Sequence, residues 1–231
     1  AIKYPRGLSL VGSWSGTYGS HLTFVASEDF RQTATVVPSP PLPANEAKAA
    51  LRVEVRRRRR LFVAGLSQVE RDDLQASLGD ALQLFIAPGT SVAAYHAVGS
   101  EIDPAAVLRL AMERGCTAAL PAFEQADGPM LFRLGVAVEN GPHGIPQPPR
   151  QAKVIIPDLL LVPLLAVDCH GMRLGQGGGH YDRALPALRD AGATIIGVGW
   201  AMQMIDGKLP ADPWDVPLDG FASPEGVTMW R

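Results

Sequence analysis

A run of apolar residues followed by a glycine-rich loop constrains the fold of this chain more than any other feature. The run extends from Leu159 to Val167, with one interruption at Pro163, and Asp168 follows it directly. After a short loop comes the sequence Gly175-Gln176-Gly177-Gly178-Gly179-His180-Tyr181-Asp182-Arg183. A short apolar run predicts a buried strand. The stretch therefore predicts a strand, a loop and a helix start, as in α/β proteins.

The glycine loop is typical of an anion site. Successive backbone N–H groups can point into such a loop, and the N-terminus of the following helix adds partial positive charge. Glycines also let the backbone approach a phosphate without interference from a Cβ atom. A tight turn without a ligand is the alternative, and the three consecutive glycines alone leave the two interpretations even. The carboxylate and guanidinium of Asp182 and Arg183 favour the anion site, because a plain turn needs neither.

Composition excludes several classes of protein. The chain has 231 residues and a net charge of −2, which argues against a general nucleic-acid binder. Its longest apolar run is far shorter than the roughly 18 residues that a membrane span needs. The two cysteines, Cys116 and Cys169, lack metal-ligand spacing, so we expect a reduced, cytoplasmic protein. Composition also argues against a nucleic-acid or membrane partner; small-molecule substrates and a monomer are expected from the resemblance described below.

The rest of the chain predicts an extension followed by one α/β domain. Residues 1–44 are rich in Ser, Thr, Gly and Pro, and we interpret them as a flexible extension. In residues 45–231, helices are predicted over 45–63, 67–84, 104–114 and 180–191, with Asn45 as the first N-cap and a Ser67–Glu70 capping box opening the second helix. Strands are predicted over 91–97, 117–120, 130–136, 193–198 and 227–230. This alternation predicts a three-layer α/β fold.

Basic residues recur at helical spacing along the first predicted helix. Lys48, Arg52, Arg56 and Arg59/Arg60 would form one cationic stripe. The five arginines at 56–60 wrap more than a full turn, so a solvated helix face is our interpretation for most of them. A nucleic-acid tail is the alternative, and the overall charge opposes it. Lys48 and Arg52 are the exceptions, because a motif described below includes them.

Three further residues are candidates with an equally plain alternative. Glu101 follows a predicted strand, where α/β proteins place ligand-contacting groups, and an exposed loop carboxylate explains it as well. His96 lies in a predicted strand, and a structural histidine is the favoured interpretation. Gln147 lies in the rigid loop Gly144–Pro149 and could present its amide to a ligand, or the loop could be a stiff connector.

Common nucleotide motifs are absent from the sequence. No Gly-x-x-x-x-Gly-Lys-Ser/Thr occurs, and Gly175-x-Gly177-x-x-His180 lacks the third glycine of a dinucleotide fingerprint. What remains is an anion loop, a basic helix stripe and several isolated acids. That set suits a nucleoside triphosphate with magnesium, because Mg²⁺ usually takes one or two protein carboxylates together with phosphates and water.

Taken in order, these segments carry a family likeness. Pro163-Leu-Leu-Ala-Val-Asp168 followed by Gly171-Met-Arg173-Leu-Gly-Gln-Gly-Gly-Gly-His-Tyr-Asp-Arg183 resembles the signature of the 5-formyltetrahydrofolate cyclo-ligases, also called 5,10-methenyltetrahydrofolate synthetases. Shorter segments resemble further family motifs at believable spacings: Lys48-Ala-Ala-Leu-Arg52, Glu101-Ile-Asp103, Ile145-Pro-Gln-Pro148 and Asp215-Val-Pro-Leu-Asp219. The resemblance covers residues 46 to 230.

The resemblance implies a fold, a reaction and a set of site residues. The fold is a three-layer α/β/α arrangement with a mostly parallel sheet, like that of sugar-phosphate isomerases and CoA transferases. The reaction is an ATP- and Mg²⁺-dependent closure of 5-formyltetrahydrofolate to 5,10-methenyltetrahydrofolate, with phosphorylation of the formyl oxygen. By matching position, the ATP site contains Lys48, Arg52, Arg173, Leu174, Gly175, Gln176, Gly177, Gly178, Gly179, His180 and Tyr181. The folate site contains His96, Glu101, Gln147 and residues 176–180, and magnesium is held by Asp182 and Asp215, with Asp219 a near competitor for the second position.

The chain departs from the family pattern at three positions. His180 stands where the family often has an aromatic residue, Leu164 where glycine is common, and Val167 where phenylalanine is usual. His180 could alter folate stacking or add a titrating group, whereas the two apolar changes affect packing. A non-catalytic relative that binds folate or nucleotide is the alternative. It predicts loss of Lys48, Arg52 or Asp182, and all three are present.

Overall fold

Short buried strands build the centre of the molecule. The computed structural model describes residues 44–142 and 144–231. Its strands are β1 (Ser91–Ala93), β2 (Thr117–Ala122), β3 (Leu131–Leu134), β4 (Glu139–Asn140), β5 (Pro146–Gln147), β6 (Val154–Ile155), β7 (Leu159–Pro163), β8 (Ala166–Val167), β9 (Arg173–Leu174), β10 (Thr194–Val198), β11 (Gly220–Ser223) and β12 (Gly226–Met229). In this part of the chain, eight of them form one sheet in the order β12-β11-β10-β7-β1-β2-β3-β6.

The sheet has a parallel centre and antiparallel edges. Strands β11, β10, β7, β1 and β2 pair in parallel, whereas β12 at one edge and β3 and β6 at the other run antiparallel. The β7 residues Leu159–Val162 are all buried, as expected for a strand covered on both faces. The carboxyl ends of the neighbouring parallel strands β1, β2 and β7 therefore lie side by side, where the three strands end.

Helices cover both faces of the sheet. The helices are α1 (Ala44–Ala64), α2 (Gln68–Leu82), α3 (Ala105–Glu113) and α4 (His180–Asp190), and short 3₁₀ turns follow at Gln83–Phe85 and Ala201–Gln203. On one face, α2 and α3 pack Leu78, Leu82 and Val107 against alternate strand residues such as Leu161. On the other face, α4 packs Leu185 against the intervening residues, among them Leu160. The predicted three-layer α/β fold is thus confirmed.

The hairpin of β8 and β9 leaves the main sheet and carries the chain from β7 to the glycine loop. Its buried side chains Leu165, Ala166 and Leu174 pack with Val55 of α1 in a separate core. The turn between the two strands is held by the buried Asp168, whose carboxylate accepts the backbone N–H groups of His170, Met172 and Leu209. The position of α1 is thereby fixed beside the glycine loop.

Helix predictions agree with the structure to within a few residues. The Ser67–Glu70 capping box is present, Asp103 accepts the N–H of Ala105 at the start of α3, and α3 ends before Gly115. The first helix, however, begins at Ala44, so the prediction of Asn45 as its N-cap is wrong.

Several strand predictions need correction. The strand predicted at 91–97 stops at Ala93, because the chain turns into a loop that is closed by the Glu101 N–H bonding to the Val98 carbonyl. The strand predicted to end at Leu120 continues through Pro121. The Pro121 nitrogen, which carries no hydrogen, points toward β1. Because β1 has already ended opposite Ala119, no hydrogen-bond donor is needed there. The run Leu159–Val167, predicted as one buried strand, is divided into β7 and β8, which belong to different sheets. Strands β4, β5, β6, β9 and β11 were not predicted; all but β11 have only two residues, too few to show a pattern.

Two expectations concern the limits of the chain. The predicted extension, residues 1–44, lies outside the described residues except for Ala44, and it stays a prediction. Residues Ala47–Arg231 form one compact unit. In the described part of the chain, no helix combines the length and the apolar character that crossing a membrane would require.

The Asp168–Met172 turn yields a test of packing. Gly171 has φ +79°, and a Cβ placed on it would lie 2.8 Å from the Leu218 carbonyl oxygen. Gly115 has the same φ of +79° but open space around it, so Gly115→Ala measures the backbone strain alone. We expect Gly115→Ala to lower the free energy of unfolding by about 1 kcal/mol and Gly171→Ala by about 2–4 kcal/mol. Equal losses in urea unfolding would contradict the proposed close approach.

Candidate active site

A cavity of about 480 Å³ opens at the carboxyl ends of β1, β2 and β7. Its walls come from the segments that follow these strands, including Tyr95, Glu101 and Phe123, and from the glycine loop, residues 175–179. The carboxyl edge of parallel strands is where α/β proteins place their ligands. The topology of the sheet therefore brings the predicted folate residues and the glycine loop to one cavity, whereas Lys48, Arg52, Leu174 and Asp215 are not among its lining residues.

The glycine loop forms one wall of this cavity and leads into α4. Gly177 and Gly179 have φ of +103° and +68°, which disfavour residues with a side chain, and Gly179 is the N-cap of α4. Gly179 has no side chain that could cap the first turn of α4, whose N-terminal N–H groups lie next to the loop. This geometry fits an anion.

Helix α1 is attached to the glycine loop through two arginines one turn apart. The Arg52 Nε donates to the Gly175 carbonyl at 3.0 Å, and its guanidinium lies 3.6 Å from the point where a Gly177 Cβ would stand. The Arg56 guanidinium donates to the Gln176 side-chain oxygen at 2.9 Å. Arg52 is thus placed beside the loop, as predicted.

Arg173 is a buried cation below the loop. Its side chain is only 4% exposed, it forms an ion pair with Asp182 of α4, and it donates to the Val216 carbonyl at 2.8 Å. Burial lowers the pKa of Arg173, and the negative charges of Asp182 and Asp215 act against that shift. The guanidinium therefore draws α4 and the C-terminal segment toward β9.

Lys48 lies between two carboxylates of the C-terminal segment. Its Nζ donates to Asp212 at 2.6 Å and to Asp215 at 2.7 Å, and its side chain is 8% exposed. Burial alone would raise the pKa of Asp215, but the hydrogen bond from Lys48 and the positive charge of Arg173 hold that pKa below its ordinary value. Asp219, the competing metal candidate, instead accepts Arg189 at 3.0 Å and the Ile195 N–H at 2.8 Å.

The two predicted metal carboxylates fit a magnesium ion shared with a nucleotide. Within residues 44–142 and 144–231, no three His, Cys, Asp or Glu side chains gather as a self-sufficient metal cluster. Mg²⁺ does not require one, because phosphates and water complete its shell. Asp182 forms an ion pair with Arg173, and the charge of Asp215 also acts on Arg173, so both carboxylates lie within reach of one guanidinium. Their donor set suits this metal.

Glu101 is the buried acid of the cavity. Its carboxylate accepts the Val98 N–H at 3.0 Å and the Gln176 amide at 3.1 Å. The Arg59 Nη1 lies 3.6 Å from the same carboxylate. The interpretation of an exposed loop carboxylate is therefore wrong, because Glu101 is only 7% exposed.

Other predicted residues are placed differently from one another. His96 is exposed. His96, His180 and Tyr181 all line the cavity. Gln147 also lines it, but its amide bonds the N–H and carbonyl of Phe123 at 2.9 and 3.2 Å, so it holds the end of β2. Leu174 points into the core below the hairpin, with 1% of its surface exposed. Leu174 can therefore contribute only backbone to a ligand.

Sequence reasoning missed several residues of the site. Arg59 is 3% exposed and belongs to the cavity wall, so a solvated face describes Arg57 and Arg58, which pair with Glu54, but not Arg59. The signal was available, because Arg59 continues the helical stripe of Lys48, Arg52 and Arg56. Phe123 lies 4.8 Å from the His180 ring in an edge-on contact, and no motif pointed to it.

Comparisons with known proteins agree with the resemblance carried by the glycine motif. The model of the 5-formyltetrahydrofolate cyclo-ligase family matches residues 44–224. A protein of Mycolicibacterium smegmatis named 5-formyltetrahydrofolate cyclo-ligase is 34% identical over 196 residues, which cover 80% of this chain and 98% of that relative.

Solved structures give the same answer for the fold. The structure of 5,10-methenyltetrahydrofolate synthetase from Aquifex aeolicus superposes with a TM-score of 0.64 at 25% identity, covering 80% of this chain and 93% of the other. The enzyme of that name from Mycoplasma pneumoniae gives 0.59 at 24% identity, over 77% and 98%. Since the family model spans most of its length, the chain belongs to the 5-formyltetrahydrofolate cyclo-ligase family.

Proposed function

We propose that this protein closes 5-formyltetrahydrofolate to 5,10-methenyltetrahydrofolate and consumes ATP in doing so. The formyl oxygen attacks the γ-phosphorus of ATP, and ADP leaves. N10 of the folate then attacks the activated formyl carbon and loses its proton. The former formyl oxygen departs in inorganic phosphate, which completes the ring.

The observation that best supports this proposal is that the glycine loop adjoins both charged and aromatic groups. Arg52 donates to the loop, and Arg173 and Asp182 line the cavity together with it. The same cavity has the aromatic side chains of Tyr95 and Phe123 and the buried Glu101 in its wall. A phosphate bound by the loop would face a ring compound held in the cavity, and phosphoryl transfer depends mainly on such positioning and charge neutralisation.

Each group has a separate task in this proposal. The N–H groups of residues 177–181 and the Arg52 guanidinium bind phosphate oxygens, and Lys48 adds a second cation. Asp182 and Asp215 would hold magnesium, which supplies further neutralisation of phosphate charge when bound. Glu101 receives N–H donors of the folate, and Phe123 with His180 provides flat contacts for its rings. No protein nucleophile is required.

The direct test mixes the protein with Mg·ATP and 5-formyltetrahydrofolate and follows the absorbance of the methenyl product. We expect product to form in proportion to enzyme and to require all three components. Folded protein that binds both ligands without turnover would support the alternative, a non-catalytic relative. Folded protein that binds neither would overturn the assignment of this site.

Replacement of Arg52 tests the nucleotide side. Arg52→Ala should raise KM for ATP by about 10- to 100-fold, because a charged hydrogen bond contributes about 1.5–3 kcal/mol. KM for the folate should change far less. Arg58→Ala is the matched control, since Arg58 lies on the same helix, is exposed and pairs with Glu54. Unchanged ATP kinetics in Arg52→Ala would remove this residue from the site.

Replacement of Lys48 tests the carboxylate pair through pH. The pKa of Asp215 is depressed in the folded protein, so its contribution to stability is complete above the ordinary value near 3.8 and is lost as pH falls through the lower folded value. Lys48→Met removes the partner of Asp215. The unfolding free energy of this variant should therefore decrease less steeply than that of the wild type as the pH falls below about 5. Lys208→Met, at an exposed lysine, should keep the wild-type slope. Identical slopes in the two variants would contradict the pairing.

A further inference from the structure

A second buried guanidinium lies at the far end of the α1 stripe from Lys48. The Arg59 side chain is 4% exposed. Its Nε donates to the Ser100 hydroxyl at 3.1 Å and its Nη1 to the Leu164 carbonyl at 3.4 Å. These contacts tie α1 to the loop after β1 and to the segment after β7. Nothing in the proposed reaction yet uses this cation.

The nearest charge to Arg59 is the carboxylate of Glu101. The two side chains approach to 3.6 Å, which is beyond hydrogen-bond distance. An ionised carboxylate has about four lone-pair positions. The Val98 N–H and the Gln176 amide occupy one on each oxygen of Glu101. Arg59 therefore adds countercharge to a carboxylate whose two oxygens each already accept one hydrogen bond.

Burial makes that countercharge necessary. Removing one partner of a buried ion pair leaves an uncompensated charge, and the cost commonly exceeds what the pair itself contributes. Arg59 is the cation next to the Glu101 carboxylate, at 3.6 Å, whereas Arg56 is linked to Glu101 through the side chain of Gln176. Tyr95, in the loop after β1, and Tyr181, in α4, interact electrostatically with the same carboxylate.

We propose that Arg59 is a positioning residue for the folate: it holds the Glu101 carboxylate in place in the cavity wall, so that N–H donors of the folate meet it. The inference rests on the proposed function. It gives α1 two tasks, with Lys48 and Arg52 at its first half serving the nucleotide and Arg59 at its second half serving the folate. Gln176 joins the two halves, since it accepts Arg56 and donates to Glu101.

The experiment compares Arg59→Gln with Arg59→Lys in the full chain. Arg59→Gln should weaken the binding of 5-formyltetrahydrofolate by at least about tenfold, while KM for ATP should stay within about twofold of the wild-type value. Arg59→Lys should restore part of the folate affinity, because it returns the charge but not the bond geometry. Arg58→Gln is the matched control and should leave both constants unchanged. Equal losses for ATP and folate, or no recovery with lysine, would overturn the inference.

A double-mutant cycle with Glu101→Gln separates positioning from general damage to the fold. If Arg59 acts through Glu101, then Arg59→Gln should add little to the folate loss once Glu101→Gln is present. A full additional loss in the double variant would show that Arg59 acts elsewhere. If Arg59→Gln alone is unstable, the double variant can still be compared with Glu101→Gln. Neither of these two variants contains a buried carboxylate at position 101 that has lost its cation.

Direct titration of 5-formyltetrahydrofolate without ATP keeps this inference distinct from the proposed reaction. Absence of product from the wild-type protein would count against the reaction. Folate binding that is lost in Arg59→Gln and regained in Arg59→Lys would still support the positioning role. Folate binding by the wild-type protein that is unaffected in either variant would refute that role whatever the catalytic result.

Discussion

The buried guanidinium of Arg173 is the interaction on which the site depends. It joins strand β9, the first turn of α4 and the C-terminal segment through Asp182, the Val216 carbonyl and the charge of Asp215. A cation at this depth needs anionic neighbours, because desolvation of an isolated charge costs several kcal/mol. The same neighbours are the carboxylates that suit magnesium. Structural pairing and ligand binding therefore draw on one set of charges.

Charge pairing also organises the second half of the site. Arg59 and Glu101 are both buried and face one another across the cavity wall, and Gln176 connects them to the glycine loop. A bound folate and a bound nucleotide would consequently share a border made of one loop. This arrangement explains how a chain with a net charge of −2 can concentrate several cations in one region.

Sequence reasoning worked well wherever a long local pattern existed. The capping box at Ser67 and the glycine motif each predicted the element that is present, and the apolar run before Asp168 predicted β7 but not the separate strand β8. It failed for β6 and β11, whose pairing partners decide their conformation, and for β2, whose proline is tolerated only because β1 is shorter. Arg59 was misjudged because its burial comes from the loop near Ser100, which is 41 residues away in sequence. Spacing can identify a helix face but not what covers it.

The attachment of α1 to the glycine loop has a consequence for how the protein assembles. Arg52 and Gly175 are 123 residues apart in the chain, and Lys48 and Asp215 are 167 apart. Contacts of such long range form late, because the intervening chain must first be ordered. The sheet and its helices can thus be largely folded before the groups proposed to bind phosphate meet. Only the fully folded protein can therefore bind the ligand. A ligand that binds this state also stabilises it against unfolding.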